Sequence, residues 1–126
     1  IDNRLAVLNE QSKSGDDYSA RIYVVISGGW AFWKTKAINY VWSRNSPKNS
    51  IWPNAFAGKS AMMIALRSSK DNTLTWYQEK RNILQDLKAQ FGADIRYIDA
   101  VALMTDTDNA QGDAVAYYGD IYFSKK

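Results

Sequence analysis

The chain reads as an all-β protein, an antiparallel sandwich carrying one short helix. Six or seven segments alternate apolar and polar side chains or run continuously apolar, as strands do. One segment alone switches to helical spacing, so the strand–helix–strand rhythm of a parallel sheet is missing. Five Trp, eight Tyr and four Phe favour the same reading, because aromatic side chains suit a pleated, half-buried surface.

The segments follow in order. Residues 1–9 lean towards a strand through Leu5 and Val7, and Gln11–Asp17 is a polar loop in which Asp16 and Asp17 can accept backbone N–H bonds. Ser19–Ile26 is the clearest strand, β-branched and aromatic until Gly28-Gly29 ends it. Arg21 sits inside that apolar run, and a buried guanidinium needs a carboxylate or several carbonyls; Asp16, Asp17, Glu79 and Asp120 are the partners on offer. Gly28–Lys36 brings Trp30, Phe32 and Trp33 beside two glycines, either a core plug or an exposed platform, with burial the commoner fate of large apolar side chains.

Ala37–Ser43 is the next strand. Residues 44–59 are irregular, with both prolines, and Trp52 and Phe56 are expected to anchor them. Ser60–Leu66 is a strand, and Thr73–Asn82 alternates as an edge strand with Glu79 and Arg81 on one face, near enough to pair. Then the period changes. Ile83, Leu84, Leu87 and Phe91 fall at helical spacing, Asn82 is an N-cap and Gly92 a C-terminal stop, so a helix is expected over Ile83–Phe91. Ile95–Thr105 and Ala114–Phe123 are read as the last strands, with Asp106, Asp108, Asn109 and Asp113 in the loop between them.

Composition narrows the chemistry. A chain of 126 residues with 46% hydrophobic and 23% charged residues holds one domain with a real core. With no cysteine and no histidine, zinc sites, thiol nucleophiles and His-based triads are excluded. The net charge of +3 is spread without a basic stripe, so nucleic acid is not an expected partner. No apolar run reaches the about 18 residues of a membrane span. The chain starts at Ile1 without a Met, which reads as a processed, clipped or constructed end.

The acidic residues have three readings. Asp106, Asp108 and Asp113 offer oxygen ligands to a hard cation such as calcium, although their spacing is not that of an EF-hand loop. Glu79 with Asp120 or Asp108 could form an acid/base pair for glycoside cleavage. All of them could equally serve as turn caps and as partners of Arg21 and Arg81. The aromatic excess adds a binding reading: Trp30, Trp33, Trp52 and Trp76 as stacking faces, Asp16, Asp17, Arg21, Glu79 and Arg81 as hydroxyl-bonding groups.

The order of motifs carries a resemblance. Gly15-Asp16-Asp17-Tyr18-Ser19-Ala20-Arg21-Ile22-Tyr23-Val24-Val25 is followed by Asn39-Tyr40-Val41-Trp42, then by Trp76 to Asn82, Phe91-Gly92, Met104 to Asn109, and Ala116 to Ile121. This resembles a bacterial, mostly exported family known only as a domain of unknown function, and the likeness spans nearly the whole chain. The resemblance implies a jelly-roll sandwich of the galactose-binding-like type, whose commonest neighbours are carbohydrate-binding modules, and a periplasmic or secreted location. It also implies an earlier strand-rich segment, where only residues 1–14 precede Gly15; the expectation is that this body pairs with a further N-terminal segment or a second chain. The function expected on these grounds is a non-catalytic module binding carbohydrate, cell-envelope glycan or another small molecule. A glycan-acting hydrolase and a structural assembly domain are the alternatives.

Overall fold

The computed structural model describes residues 1–3, 8–92 and 94–125. The expected strand through Leu5 and Val7 lies outside the described residues, as do the side chains of Asn3 and Phe32. Seven strands are described: β1 (Asp2–Asn3), β2 (Arg21–Ile26), β3 (Lys36–Trp42), β4 (Ile51–Asn54), β5 (Gly58–Arg67), β6 (Ala100–Met104) and β7 (Ala114–Val115). One helix, α1, spans Ile83–Phe91, and a 3-10 turn covers Phe32–Lys34. Five strands form a sheet in the order β4-β5-β3-β2-β6, and β1 with β7 makes a short antiparallel ribbon.

The protein is therefore mostly β with a single short helix, but the sheet is mixed. β2 pairs antiparallel with β3 and β6, β4 pairs antiparallel with β5, and β3 runs parallel to β5. The reason lies after β3, where residues 43–50 carry the chain past the neighbouring position to the far edge. There Asn54 Oδ1 accepts the N–H groups of Phe56 and Ala57, both at 2.9 Å, and turns β4 back into β5. β5 thus enters beside β3 in the same direction. β4 contains Pro53 and was hidden in what reads as an irregular loop; proline is tolerated there because β4 is an edge.

The central strands are buried on both faces. On one face Tyr18, Val41, Trp52, Met63 and Ala65 pack together. On the other, Val24, Ile38, Tyr40 and Ile64 meet Leu87 of α1. The alternation within β3 divides its residues between the two clusters, as strand geometry requires. Leu87, 1% exposed, anchors the helix, and burying such a side chain is worth about 1.5–3 kcal/mol. Asn82 Oδ1 caps Gln85 N at 3.0 Å, and the Gly92 N–H closes on Lys88 O at 2.9 Å. Asp86 accepts from Arg81 Nε and Nη2 (3.0 and 2.8 Å) and from the Tyr40 hydroxyl (2.6 Å), which pins the first turn to the sheet.

Of two further expected strands, one is not formed and the other is cut short. Thr73–Asn82 joins neither described sheet, and Leu74 takes a positive φ of 55°. Side chains hold it instead: Tyr77 packs edge-on to Trp42 at 5.8 Å and carries the Arg67 guanidinium over its ring at 3.9 Å. In Ala114–Phe123 only Ala114–Val115 pairs. The remainder is tethered by Tyr118, whose hydroxyl accepts the Arg21 N–H (3.1 Å) and donates to Met104 O (2.9 Å).

Candidate functional site

The fold concentrates chemically distinctive residues at the two opposite ends of β2. At its N-terminal end, the loop Gly15–Ser19 and the loop after β6 are sewn together. Ser19 O accepts the Thr105 hydroxyl at 3.0 Å and Tyr18 O accepts the Asp106 N–H at 3.1 Å. A Cβ on Gly15 would lie 2.3 Å from Asn9 O, so only glycine lets the chain fold back on itself there.

Arg21 is buried between two carboxylates. Its Nη2 lies 3.6 Å from Asp16 Oδ2 and 4.0 Å from Asp106 Oδ2, and donates to Asp16 O at 3.2 Å. The guanidinium stands over the Tyr18 ring at 4.6 Å. Asp16 was among the partners expected from sequence; Asp106 was not. Burial raises the Asp16 carboxyl above its ordinary range, although Arg21 and Asn54 pull it down. Asp16 Oδ1 and Arg21 Nε are buried without a hydrogen-bond partner.

Asp17 is the hub of the seam. Its carboxylate accepts the backbone N–H of Asn109 (3.3 Å), the Asn109 amide (3.1 Å) and the Ala110 N–H (2.5 Å). Burial would raise its pKa, but these donors outweigh it and hold the carboxyl below its usual value. Asp17, Asp106 and Asp108 each bring an oxygen within 4.8 Å of the others, which is within reach of a hard cation. Asp108, fully exposed, is pushed up by its neighbours Asp106 and Asp17. Asp113 does not join this group. It lies exposed along a cleft of about 400 Å³ with Asp2 and Thr107, so the trio expected from sequence spacing is replaced by one that includes Asp17, 89 positions from Asp106 in the chain. Asp17 already spends its oxygens on three donors, and the cluster acts as a clasp between loops.

At the C-terminal end of β2 stands an aromatic tip. Trp30 is 89% and Trp33 62% exposed, with ring centroids 6.0 Å apart at 86°. Of the two readings, core plug and exposed platform, Trp30 and Trp33 take the second within this chain, and hydrogen bonds hold the loop that carries them. The Gly28 N–H bonds Thr35 Oγ1 (3.2 Å), Gly29 N bonds Ser27 Oγ (3.0 Å), and Ser27 N bonds Asp99 Oδ2 (2.8 Å). A Cβ on Gly28 would sit 2.1 Å from Ala31 O, so this tight turn too demands glycine.

The remaining expected site residues are dispersed. Glu79 binds Arg67, which also holds Asp71 at 3.0 Å, and Arg81 binds Asp86; the expected Glu79–Arg81 pair is not made. Trp76 is 71% exposed and lies 3.7 Å from the Cβ position of Gly119. Trp52 is buried as an anchor, while Phe56 is exposed. Sequence reasoning missed Glu10 and Arg44, buried together at 3.3 Å, with Arg44 donating to Asp17 O at 2.9 Å and Ser43 Oγ to Glu10 at 2.5 Å. Nothing in the polar segment around Glu10 signals burial.

A family model described as a protein of unknown function (DUF3047) matches residues 1–122. The chain belongs to the DUF3047 family. Among curated proteins and among solved structures, nothing matches. The DUF3047 match covers both ends of β2, so the clasp and the aromatic tip lie within the family's span. Among the described residues of this DUF3047 chain, no helix is long and apolar enough to cross a membrane.

Proposed function

We propose that this protein is a non-catalytic carbohydrate-binding module whose contact surface is the Trp30–Trp33 tip. The observation that carries the reading is two exposed indoles at right angles on a loop braced by its own hydrogen bonds. An indole face stacks against the C–H face of a pyranose, and a second ring at right angles gives the sugar a wall. Bracing matters because a loop already ordered loses little entropy on binding. Lys34, Ser27 and Thr35 beside the rings supply hydroxyl-bonding groups. The hydrolase alternative is weaker, since Glu79, one of its carboxylates, is committed to Arg67. Placement outside the cytoplasm, in the periplasm or secreted, and kinship with galactose-binding-like jelly rolls belong to the same proposal.

The test is titration with a panel of neutral and acidic polysaccharides and peptidoglycan, followed by indole fluorescence. Saturable quenching is expected, lost in Trp30→Ala and in Trp33→Ala with unchanged thermal melting, because neither ring is part of the core. No binding across the panel, or binding indifferent to both substitutions, overturns the reading.

A further inference from the structure

The face of the five-stranded sheet turned away from α1 has two unlike halves. Strand alternation and register place Asn39 between Tyr23 and Met63 in one row, and make Ala61, Ala37, Val25 and Ala100 the next row. On the other side of Asn39 the face is covered, because Tyr18 packs over Val41, Met63 and Ala65. The alanine row is not. Ala37, Val25 and Ala61 are only partly buried, Ala100 is exposed, and nothing in the row is larger than valine. Tyr23 leans away from it, its hydroxyl donating to Met104 Sδ at 3.0 Å and its ring 5.5 Å from the Arg21 guanidinium. The alanine row thus floors a shallow apolar trough with Asn39 at its head.

Asn39 is 1% exposed, yet neither its Oδ1 nor its Nδ2 has a hydrogen-bond partner. Arg21 Nε and Asp16 Oδ1 are buried without one too. Arg21 is diagonal to Asn39 across the β2–β3 pair, within reach of a long side chain. Asp16 lies 3.6 Å from Arg21 and is also drawn on by Asn54 at the end of β4, which sets it over the strands between, β3 and β5. Folded proteins leave few buried polar atoms unbonded, because each is destabilising; here three neighbouring side chains hold four. Their chemistry specifies what they bind. The Asn39 amide offers a donor and an acceptor in one plane. A carboxylate would serve Nδ2 and leave Oδ1 bare, and an ammonium would do the reverse. Arg21 has no charge to spare for an anion, since Asp16 and Asp106, 4.0 Å away, already face it. A neutral amide edge serves both Asn39 atoms with two parallel bonds and is already planar before it binds.

We propose that this trough is a small-molecule site for a flat, neutral ligand with adjacent N–H and C=O groups, a primary carboxamide or a lactam. Its amide edge pairs with Asn39, and its ring lies over Ala37 between Val25 and Ala61. Arg21 Nε and Asp16 Oδ1 serve a further acceptor and donor on the same molecule. The site does not use Trp30 or Trp33 and stands whether or not they bind sugar.

The probes are nicotinamide and uracil, with nicotinate and galactose as counterparts that carry a carboxylate and hydroxyls instead. Each is titrated into the full chain and followed by amide-resolved nuclear magnetic resonance. Nicotinamide or uracil should shift the Asn39 side-chain amide and the Ala37 and Ala61 backbone signals saturably, and nicotinate and galactose should leave them in place. Asn39→Leu should abolish the Ala37 and Ala61 shifts and raise the thermal midpoint, because it removes two polar atoms that the free protein buries unbonded. Ala37→Leu, which fills the floor and touches no polar atom, should weaken binding about tenfold. Trp30→Ala and Trp33→Ala should change nothing at these signals. No saturable shift with either amide overturns the proposal, whatever sugars do at the aromatic tip. So does an equal shift with nicotinate or galactose, or an affinity unchanged in Asn39→Leu or in Ala37→Leu. A lowered midpoint in Asn39→Leu overturns it as well, since the amide would then be bonded within the free protein.

Discussion

Replacing Arg21 with Met tests the clasp at its centre. Arg21 and Asp16 are 4% and 5% exposed, and the guanidinium is the only cation within 4.0 Å of the Asp16 carboxylate among the described residues. Met fills most of the volume but leaves a buried carboxylate with no counter-charge. Breaking a buried pair in this way costs about 3–5 kcal/mol, a large part of the about 5–15 kcal/mol that holds a small domain. The loss has a defined pH dependence. Burial already raises Asp16, and removing Arg21 raises it further above its unfolded value. A carboxyl raised on folding stabilises below its unfolded pKa and loses that contribution as pH rises through the folded one. The penalty of Arg21→Met should therefore be greatest at neutral pH and shrink on acidification. Urea unfolding followed by tryptophan fluorescence at pH 7 and pH 5 measures both. Asp16→Asn in the Arg21→Met background should recover part of the loss. A cost below about 1 kcal/mol, or an equal cost at both pH values, would refute the reasoning.

Three further outcomes are expected. Tyr18 and Tyr40 are pushed up by burial first and by nearby carboxylates second; their contribution is complete below about pH 10 and lost as pH rises above it. Their phenolate absorbance at alkaline pH should then appear only together with unfolding, and Tyr40→Phe should soften that limb of the stability curve. Asp17→Asn should cost about 1–3 kcal/mol at pH 7 by weakening three hydrogen bonds. Because the Asp17 carboxyl is depressed, the wild-type advantage is present above its unfolded pKa and vanishes as pH falls through the folded one, which acid titration of both proteins will show. Asn82→Ala should remove the cap of α1 at about 0.5–2 kcal/mol, read as faster hydrogen exchange in its first turn with the sheet unaffected.

What was legible in the sequence was local. β2, β3 and β5 announce themselves because strands covered on both faces leave long apolar runs, and α1 because its cap, its period and its terminal glycine agree. The β-rich class and the family likeness follow from the same patterns. What was illegible was long-range. Strand order is not written in any one segment, so the parallel pairing of β3 with β5 could not be read, and Pro53 disguised β4. The alternation in Thr73–Asn82 does not carry over into burial: Tyr77 and Arg81 are partly buried, but Thr75 and Glu79 of the same set are exposed. At the clasp, Arg21 could be seen to need a carboxylate. That Asp17 meets Asn109 and Ala110 more than ninety positions away is a property of the folded chain alone. The sequence leaves Trp30 and Trp33 between core plug and exposed platform because burial is a statistical preference, and a loop braced from within can hold rings in water.

The Tyr118 hydroxyl sits at the last pair of the β2–β6 ladder, Arg21 with Met104. One phenolic oxygen links the two main chains there, accepting from the Arg21 amide and giving to the Met104 carbonyl. The top of β6 is thereby latched to β2 by a side chain from a stretch with no regular structure of its own. Loosening that tail would unserve two main-chain groups at once, so the outermost strand peels or stays according to a residue fourteen positions further along.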